Sequence, residues 1–543
     1  MTAQAAAQGV YDYIVVGAGT SGSILAARLT ESGKYRVLCL EAGEKGSGYI
    51  WAIPPAGNVF MIDNPKVNWR YRSERHESHG NREIYVPRGK MLGGSSSING
   101  MVCNRSQRSV YDAWAAMGCK GWSYDEVLPI LKKLESTRIG DDRYRGRSGP
   151  MTITKTSKDV APLFCELFFK AANAIGIPEN PDTNGERQAG VAMAQNVIDR
   201  GRRLSPATQY LEPARRRPNL TLLAGAEAMS LILREGRCEG VRFRRNGRIE
   251  EARATREVVV AGGTANSPKL LELSGIGNPE LLRKAGVEPV VALDGVGEGL
   301  RDHYAAIMKW RFNRPGISIA KRGRGWGLIV EVLRYVLFRQ GFIAQGLGTV
   351  RAYIKSTPDV DDADIMLAAA PFIIEMKTGE GRRMSATEGF FMYVHFARTQ
   401  STGSIHVRSA DPFAAPTINY RFLQNDIDRQ GAIDAIRWAR RLAEAEPMAG
   451  CIAEELDPGP KVRSDEEILD YMRRAGNIAH HMVGTCRMGT DPMAVVDERL
   501  RVRGVRGLRV ADASVMPTQT SGGSAVPTMM IGEKAAEMIL ADA

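Results

Sequence analysis

The chain has 543 residues, of which 43% are hydrophobic and 25% charged, with a formal net charge of +12 at pH 7. This length exceeds what a single hydrophobic core usually serves, so we expect two or more domains of a globular protein rather than a disordered chain. The positive charge would suit an anionic substrate or nucleic acid. The basic residues are nevertheless scattered and accompany no nucleic-acid-binding motif, so we favour solvated surface charge and expect no nucleic-acid partner.

The seven cysteines include no Cys-x-x-Cys pair, which argues against the usual zinc and redox sites. The opening residues, MTAQAAAQG, lack the basic and apolar regions of a signal peptide. No apolar run reaches membrane-spanning length. These features predict free thiols in a reducing compartment, no membrane span and a cytoplasmic location.

The first predicted element is a buried parallel strand, YIVVG at 13–17, followed at once by a Gly-x-Gly-x-x-Gly pattern. The next stretch, SILAARLTESG, has the apolar spacing of a helix that ends at Gly33. A second strand, YRVLCLE at 35–41, ends in Glu41. Strand, glycines, helix, strand and terminal acid in this order predict a dinucleotide-binding unit.

Each residue of this pattern has a physical task. Gly17 allows the tight turn, Gly19 lets backbone approach a pyrophosphate, and Gly22 lets helix and strand pack closely. The helix N-terminus attracts phosphates, and Glu41 can accept hydrogen bonds from ribose hydroxyls. NAD and FAD both use this pattern, so it leaves the choice of cofactor open.

Three further motifs contain Gly-rich or Ser-rich loops. RGKMLGGSSSINGMV at 88–102 suits a loop pressed against a polar ligand. GTANSPKLLELSGIG at 263–277 follows the apolar strand REVVVAG and predicts a Gly-rich turn and a short helix. Residues 507–539 predict a strand that ends at Asp512, a Gly/Ser/Pro loop and a final amphipathic helix.

These motifs resemble those of the glucose–methanol–choline (GMC) oxidoreductases, which are FAD-dependent alcohol oxidases and dehydrogenases. GVGEGLRDH (295–303), GRRLSPATQYL (201–211) and HHMVGTCRMG also stand where that family has them, so the resemblance covers essentially the whole chain. It implies FAD as cofactor. It also implies an α/β fold in which a Rossmann-like FAD domain (1–155, 200–305 and 475–543) accompanies a discontinuous substrate domain (156–199 and 306–474) with a mostly antiparallel sheet.

The resemblance also implies which residues hold FAD. Ile98 stands where some relatives attach FAD covalently to a histidine, and because isoleucine cannot form that bond we expect non-covalent FAD. The expected contacts run from the ADP half through the pyrophosphate and flavin ring to the C-terminal loop: Gly17, Gly19, Thr20, Ser21, Gly22, Glu41, Met91, Gly93, Gly94, Ser95, Asn99, Gly100, Met101, Val102, Ala226, Asp512, Ala513, Pro527 and Thr528.

The adjacent pair His480 and His481 lies in IAHHMVGTCRMG. Neighbouring side chains face different ways and no carboxylate cluster accompanies them, so we expect no metal site. Taken alone, the stretch would suit hydrogen-bonded core residues. The resemblance instead implies that His481 is the catalytic base, with His480 beside it shaping the substrate site, because an imidazole can take the hydroxyl proton of an alcohol near neutral pH.

One position departs from the family pattern. Relatives carry a second catalytic His or Asn four residues before the C-terminal proline, and here that position is Gly523. Ser524, an ordered water or His480 could bind the substrate oxygen instead, or the loop could be registered differently. The departure also keeps open a second function, that of a lyase or decarboxylase on the same fold.

The predicted function is FAD-dependent oxidation of a small-molecule alcohol, with a primary and aromatic or heteroaromatic alcohol as the expected substrate. The base would be His481, the hydride would pass to flavin N5, and the electron acceptor would be O₂ or an unidentified carrier. Oligomeric state stays open. Residues 317–348, rich in Gly and basic residues, predict either an access lid or surface for an anionic substrate, or a solvated loop followed by a packed helix.

Overall fold

One of the two large sheets of the fold is a mixed sheet of seven strands. The computed structural model describes residues 9–46, 48–346, 348–377 and 381–543. Val10–Val16 lies between Val37–Glu41 and Arg248–Val260 and pairs with both in parallel. Val37–Glu41 is buried throughout, as expected for a parallel strand covered on both faces. The spatial order is Leu220–Ala224, Val37–Glu41, Val10–Val16, Arg248–Val260, Arg237–Arg245 and Ala226–Arg234, with Leu508–Val510 also paired to Arg248–Val260.

The carboxyl ends of three parallel strands meet at one edge of this sheet. Val10–Val16, Arg248–Val260 and Leu508–Val510 run in the same direction, so the loops that follow them are neighbours. Ligands of open α/β sheets bind outside such strand ends. This arrangement brings Gly17 and Asp512 to the same side of the molecule.

Helix Thr20–Leu29 ends four residues before the predicted stop at Gly33. Thr30 follows as the C-cap, and its hydroxyl donates to the carbonyls of Ala26 and Ala27. Gly33 then turns the chain with φ of +74°. The glycine therefore marks the turn rather than the last helical residue.

A second seven-stranded sheet is antiparallel at every named strand pair, which confirms the predicted mostly antiparallel sheet. Helix Asp426–Ala443 packs on it, and a Cβ added at Gly431 would lie 2.3 Å from the ring of Phe396. The spatial order is Ile452–Asp457, Tyr304–Phe312, Gly389–Phe396, Ile365–Ala370, Val350–Ile354 and Gly190–Met193, with Asn477–Ile478 paired to Tyr304–Phe312.

The edges of this sheet differ from the predicted domain limits by a few residues. Tyr304 and Ala305 pair with Asn477–Ile478, although the sequence division places all four in the FAD part. Strand Tyr304–Phe312 begins before the predicted limit at residue 305, because Asn477–Ile478 supplies hydrogen bonds to its first residues. The two-domain division itself stays a prediction.

Two hydrophobic cores accompany the two sheets, one around Val10–Val16 and one around Tyr304–Phe312. Among the described residues, no helix has both the length and the apolar character needed to cross a bilayer. All seven cysteines are buried free thiols. The longer helices are Thr20–Leu29, Arg108–Ala116, Tyr124–Leu134, Pro162–Ala174, Gly263–Leu273, Gly325–Phe338, Asp426–Ala443, Asp465–Ala475 and Ala525–Ala541.

Shorter elements complete the connections. A three-stranded sheet consists of Glu298–Leu300, Gly403–His406 and Thr417–Asn419. Two 3₁₀ turns, Pro55–Phe60 and Phe342–Ala344, contact each other. The remaining short helical turns are Ile50–Ala52, Glu77–His79, Ser95–Ile98, Lys158–Val160, Ala207–Leu211, Glu212–Ala214, Pro279–Lys284, Ala449–Cys451 and Ala513–Val515.

Candidate active site

A cavity of about 440 Å³ lies where the two sheets meet. Its volume falls within the range of ordinary ligand sites. Most of the sequence-predicted residues line it: Gly17, Gly19, Thr20, Ser21, Glu41, Gly94, Ser95, Asn99, Gly100, Met101, Val102, Ala226, His480, His481, Asp512, Ala513, Ser524 and Thr528.

The glycine turn at the start of the cavity is closely packed. A Cβ at Gly22 would lie 1.8 Å from the Gly17 carbonyl oxygen, and Gly17 has φ of +105°. Only glycine meets both demands, because one position has no room for a side chain and the other lies in the left-handed region. Thr20 and Ser21 then open the helix Thr20–Leu29 and present its first N–H groups to the cavity.

Glu41 lines the cavity at the same end as the glycine turn. Its carboxylate accepts hydrogen bonds from the backbone N–H groups of Ala18 and Gly43 at 3.0 and 2.8 Å. Burial raises the pKa of Glu41 to about 7, against the lowering effect of those two hydrogen bonds. Two backbone hydrogen bonds thus fix the Glu41 carboxyl group at the wall of the cavity.

The loop of the first motif lies against the glycine turn. A Cβ at Gly94 would lie 2.9 Å from the Gly19 Cα, so these two backbones are in direct contact. Ile98 lines the cavity and packs in a small buried cluster with Met91. Gly100 has open space around its Cα, so the cavity wall here is backbone rather than side chain.

Four predicted cofactor residues do not line the cavity: Gly22, Met91, Gly93 and Pro527. Gly22 supports the helix–strand contact described above, and Gly93 has φ of +85° with the Ser97 hydroxyl 2.2 Å from where its Cβ would be. Met91 and Pro527 are buried. These four residues therefore support the residues that line the cavity and do not line it themselves.

Asp512 connects the C-terminal strand to the second Gly-rich turn. Its Oδ2 accepts from the Gly263 backbone N–H at 2.9 Å and from the Ser267 hydroxyl at 2.5 Å, and its Oδ1 accepts from Ser514 at 2.8 Å. The carboxylate therefore holds two loops together at the cavity wall.

The histidine pair lies at the other end of the cavity. The His481 backbone N–H donates to Asp302 Oδ1 at 2.8 Å. His480 has φ of +66°, a left-handed conformation that is uncommon outside glycine, although asparagine, aspartate and histidine adopt it more often than other residues. Residues in such uncommon backbone conformations cluster at functional sites.

A third histidine, His303, hydrogen-bonds to the ring of His481. Sequence analysis did not identify it as a site residue. His303 Nε2 lies 3.0 Å from the Ala397 carbonyl oxygen and 2.9 Å from that of Thr520. Two carbonyl oxygens require a donor between them, so Nε2 of His303 carries the proton. Its Nδ1 then accepts, from Gln519 Nε2 at 3.2 Å and from His481 Nδ1 at 3.0 Å.

The tautomer of His481 follows from this chain. Because His481 Nδ1–H donates to His303, its Nε2 carries no proton in the neutral ring. A Cβ added at Gly523 would lie 3.5 Å from that Nε2, and both residues line the cavity. The unprotonated nitrogen therefore faces the space beside Gly523, which no side chain of that residue fills.

The electrostatics keep this histidine chain neutral. Burial lowers the pKa of His303 to about 4, although its two carbonyl partners act in the opposite direction. His395 stacks on His303 with ring centroids 4.3 Å apart. Burial, with repulsion between the charged forms of these rings, holds the pKa values of His395 and His481 well below the ordinary range.

Asp302 and two arginines complete this end, and sequence analysis missed all three. Burial raises the pKa of Asp302 to about 7, against the lowering effect of Arg88. Arg88 donates to the His480 carbonyl at 3.2 Å. Arg351 lines the cavity with Met366 and Tyr393, and within the described part of the chain its buried Nε has no hydrogen-bond partner.

Sequence signals existed for some of these residues. Asp302 and His303 lie in GVGEGLRDH, a motif that the sequence already singled out. His395 lies in the β-rich stretch FFMYVHFAR without any local mark of function. No group of three or more metal-ligating residues occurs in the described ranges.

Known proteins place this arrangement in a family. The N-terminal GMC oxidoreductase model matches residues 11–305, and the C-terminal GMC oxidoreductase model matches residues 399–532. The chain belongs to the GMC oxidoreductase family. It is therefore an FAD-dependent oxidoreductase that acts on CH–OH groups.

Three relatives show the extent of the likeness. The oxygen-dependent choline dehydrogenase of Sinorhizobium fredii is 37% identical over 531 residues, covering 97% of this chain and 95% of the relative. Pyridoxine 4-oxidase from Mesorbium loti has a TM-score of 0.87 at 28% identity, covering 97% and 98% of the two chains. A formate oxidase has a TM-score of 0.90 at 26% identity, covering 99% of each.

The GMC cofactor fits the cavity on geometric grounds. The helix N-terminus at Thr20, the fixed carboxyl of Glu41 and the backbone-lined stretch at Gly100 provide phosphate, ribose and ring environments in one continuous space. Ile98 offers no nucleophile for a covalent bond. FAD would thus lie between the glycine turn and His481.

Proposed function

We propose that this protein oxidises an alcohol to the carbonyl compound, a primary alcohol giving an aldehyde, with Nε2 of His481 as the general base. The hydrogen-bond chain from the Ala397 and Thr520 carbonyls through His303 supports this most directly, because it leaves that nitrogen unprotonated and facing the cavity. Asp302 holds the backbone of the same residue. The base is thus positioned through both its ring and its main chain.

The chemistry then needs two transfers. When bound, FAD supplies the hydride acceptor at N5. His481 would take the hydroxyl proton, and the resulting imidazolium would keep its Nδ1–H on His303. General-base catalysis of this kind typically contributes about two to four orders of magnitude in rate.

The substrate oxygen needs a second partner, and Gly523 has no side chain to provide it. Ser524 lines the cavity beside it, and His480 lies at the same end. We propose that these two residues, or a water held between them, bind the oxygen. The absence of a larger side chain also widens the cavity next to Nε2, which suits an alcohol with a bulky aromatic or heteroaromatic group.

Charge narrows the substrate class further. A quaternary ammonium alcohol is recognised by carboxylates or aromatic faces. The acids that line this cavity are Glu41, Glu227 and Asp512, at the nucleotide side. The aromatic residues that line the cavity are Trp69 and Tyr393. Tyr393 lies at the histidine end together with Arg351, whose positive charge opposes a cation there and also lowers the pKa of His481. We therefore propose a neutral or anionic alcohol, unlike the substrate named for the choline dehydrogenase relatives.

A charge series on one scaffold tests this proposal. The purified yellow protein is mixed without oxygen with benzyl alcohol, 4-(hydroxymethyl)benzoate, its trimethylammonium-methyl analogue, or choline, and flavin bleaching is followed. We expect bleaching by the neutral or anionic compound and little by the two cations. Bleaching only by cations would overturn the charge assignment, and re-admission of O₂ then shows whether oxygen re-oxidises the flavin.

The lyase or decarboxylase alternative rests on Gly523, which removes a residue that relatives use in alcohol oxidation. If no alcohol bleaches the flavin while a cyanohydrin or a carboxylic acid is turned over, this alternative replaces the oxidase proposal. Acid precipitation of the same protein is expected to release the flavin into solution. Flavin that stays with the pellet would contradict non-covalent binding.

A further inference from the structure

Helix Gly325–Phe338 packs on the protein with its polar side inward. Its only acid, Glu331, is buried and accepts from Arg322 at 2.6 Å and from the Phe342 backbone N–H at 3.1 Å. Tyr335, one turn on, is the other buried side chain of the helix. A surface helix of a globular protein ordinarily turns its apolar face to the core. This helix is inverted, unlike the packed helix that was one of the two alternatives for the segment.

The outward side of this helix is mostly apolar, with Arg334 as an exposed charged residue within it. Trp326 is 78% exposed, Leu337 67% and Phe338 66%. The other large apolar residues exposed on the helix are Leu328, Ile329, Val330, Val332, Leu333 and Val336. A continuous exposed apolar surface of this kind marks an interaction site.

A second exposed apolar group lies next to the first. Ile50, Trp51 and Phe60 are exposed, and the rings of Trp51 and Phe60 pack with centroids 4.3 Å apart. Phe60 ends the turn Pro55–Phe60, which contacts the turn that follows the helix, Phe342–Ala344. Asn58 of the same turn lines the cofactor cavity. The apolar surface therefore lies close to the wall of that cavity.

Basic residues border the helix at both ends. Residues 317–346 contain five Lys or Arg residues and one acid, Glu331, and that acid is paired internally. Lys321 and Arg324 are exposed before the helix, and Arg334 is exposed within it. Arg339 follows directly after it, with its guanidinium over the Tyr335 ring. Positive charge thus borders the apolar surface at both ends of the helix.

We propose that helix Gly325–Phe338 docks this protein on a lipid bilayer that carries anionic headgroups. An apolar face bordered by Lys and Arg is the composition of helices that lie in the plane of the membrane interface. At 14 residues the helix is about 21 Å long, shorter than the hydrocarbon core of about 30 Å. It therefore lies on the bilayer rather than across it, with Ile50, Trp51 and Phe60 as a second contact.

Flotation of the FAD-loaded protein with vesicles tests the proposal. We expect it to float with vesicles that contain phosphatidylglycerol and to bind phosphatidylcholine vesicles more weakly. The double variant Leu333→Gln/Leu337→Gln should lower the partition coefficient at least about tenfold, because two apolar side chains no longer enter the interface. Lys321→Gln/Arg324→Gln should reduce the preference for anionic vesicles and leave the weaker binding to neutral ones.

The matched control is Ile249→Gln/Val290→Gln, which replaces two apolar residues that are 62% and 60% exposed elsewhere on the surface. It should float like the parent protein, and flavin absorbance reports that each variant retains its fold. Absence of flotation with either vesicle would overturn the proposal, as would equal flotation of the leucine variant. A dimer that the leucine variant makes monomeric, without vesicle binding, would assign the surface to a second copy of the chain.

Discussion

The histidine chain of the active site and His406, in the three-stranded sheet, are both withdrawn from solvent but differ in their partners. His303 lies against two carbonyl oxygens and hydrogen-bonds to His481, and the pKa values of both histidines are lowered. His406 lies between two carboxylates, with Nδ1 2.6 Å from Glu272 and Nε2 3.0 Å from Glu298. Burial would lower its pKa too, but these partners outweigh burial and raise the pKa of His406 to about 9.

The contrast shows what decides the charge of a buried imidazole. Burial favours the neutral ring in both places, and only ionised partners reverse that preference. A neutral ring with one fixed N–H can accept a proton, whereas a charged ring with two N–H groups can only hold its neighbours together. The first region is therefore suited to catalysis and the second to linking Glu272 of helix Gly263–Leu273 with the strand that carries Glu298.

Loss of the base should have the largest effect. His481→Ala should slow anaerobic flavin reduction by about two to four orders of magnitude. The control is His480→Asn, since asparagine tolerates the left-handed backbone at that position. It removes at most one hydrogen bond to the substrate oxygen and should stay within about tenfold of the parent. Near-normal reduction in His481→Ala, with a large loss in the control, would move the base to the neighbouring residue.

Loss of the His303 ring, which fixes the tautomer of His481, should have the second largest effect on the rate of flavin reduction. His303→Leu removes the acceptor of the His481 Nδ1–H, so the base loses its preferred tautomer and orientation, and flavin reduction should slow by up to about 100-fold. His303→Gln keeps an acceptor and should recover part of the rate. Equal loss in both variants, at normal flavin content, would contradict a positioning role for the Nδ1 acceptor.

Charge at the substrate end should have a smaller effect that depends on the alcohol. Arg351→Met should raise KM for 4-(hydroxymethyl)benzoate about tenfold, the worth of one charged hydrogen bond. KM for benzyl alcohol should change little. An equal change for both alcohols would mean that Arg351 acts through the fold rather than on the substrate.

The charged histidine should affect stability rather than rate. A histidine whose pKa rises from 6.5 to about 9 on folding stabilises the folded state fully below pH 6.5, and that stabilisation disappears as pH rises through 9. Its size is on the order of 3 kcal/mol, reduced by solvent screening. The Tm of the parent should thus fall by a few degrees more than that of His406→Gln between pH 6 and 9.5. Parallel Tm curves would contradict a charged His406.

Local motifs explain how much of this molecule the sequence could predict. The glycine turn, Glu41 and Asp512 stand within or directly after strands, so their positions follow from neighbouring residues. His303 and His395 meet only through sheet register, because Ala305 pairs with His395 across two strands that are far apart in the chain. Such long-range pairing leaves no local pattern. Glu331 is a different case, because its partners Arg322 and Phe342 are near in the chain but do not form a motif that marks a buried acid.

The pH dependence of flavin reduction tests the central claim, a neutral histidine chain that leaves His481 Nε2 ready to accept a proton. Its lowered pKa means that the base stays competent as pH falls. With benzyl alcohol, or whichever neutral alcohol bleaches the flavin, the second-order rate constant for anaerobic reduction should stay level from pH 8 to below pH 6 and decline only in more acid solution. A rate constant that halves at or above pH 6.5 would show a base that is protonated near neutrality and would contradict the account.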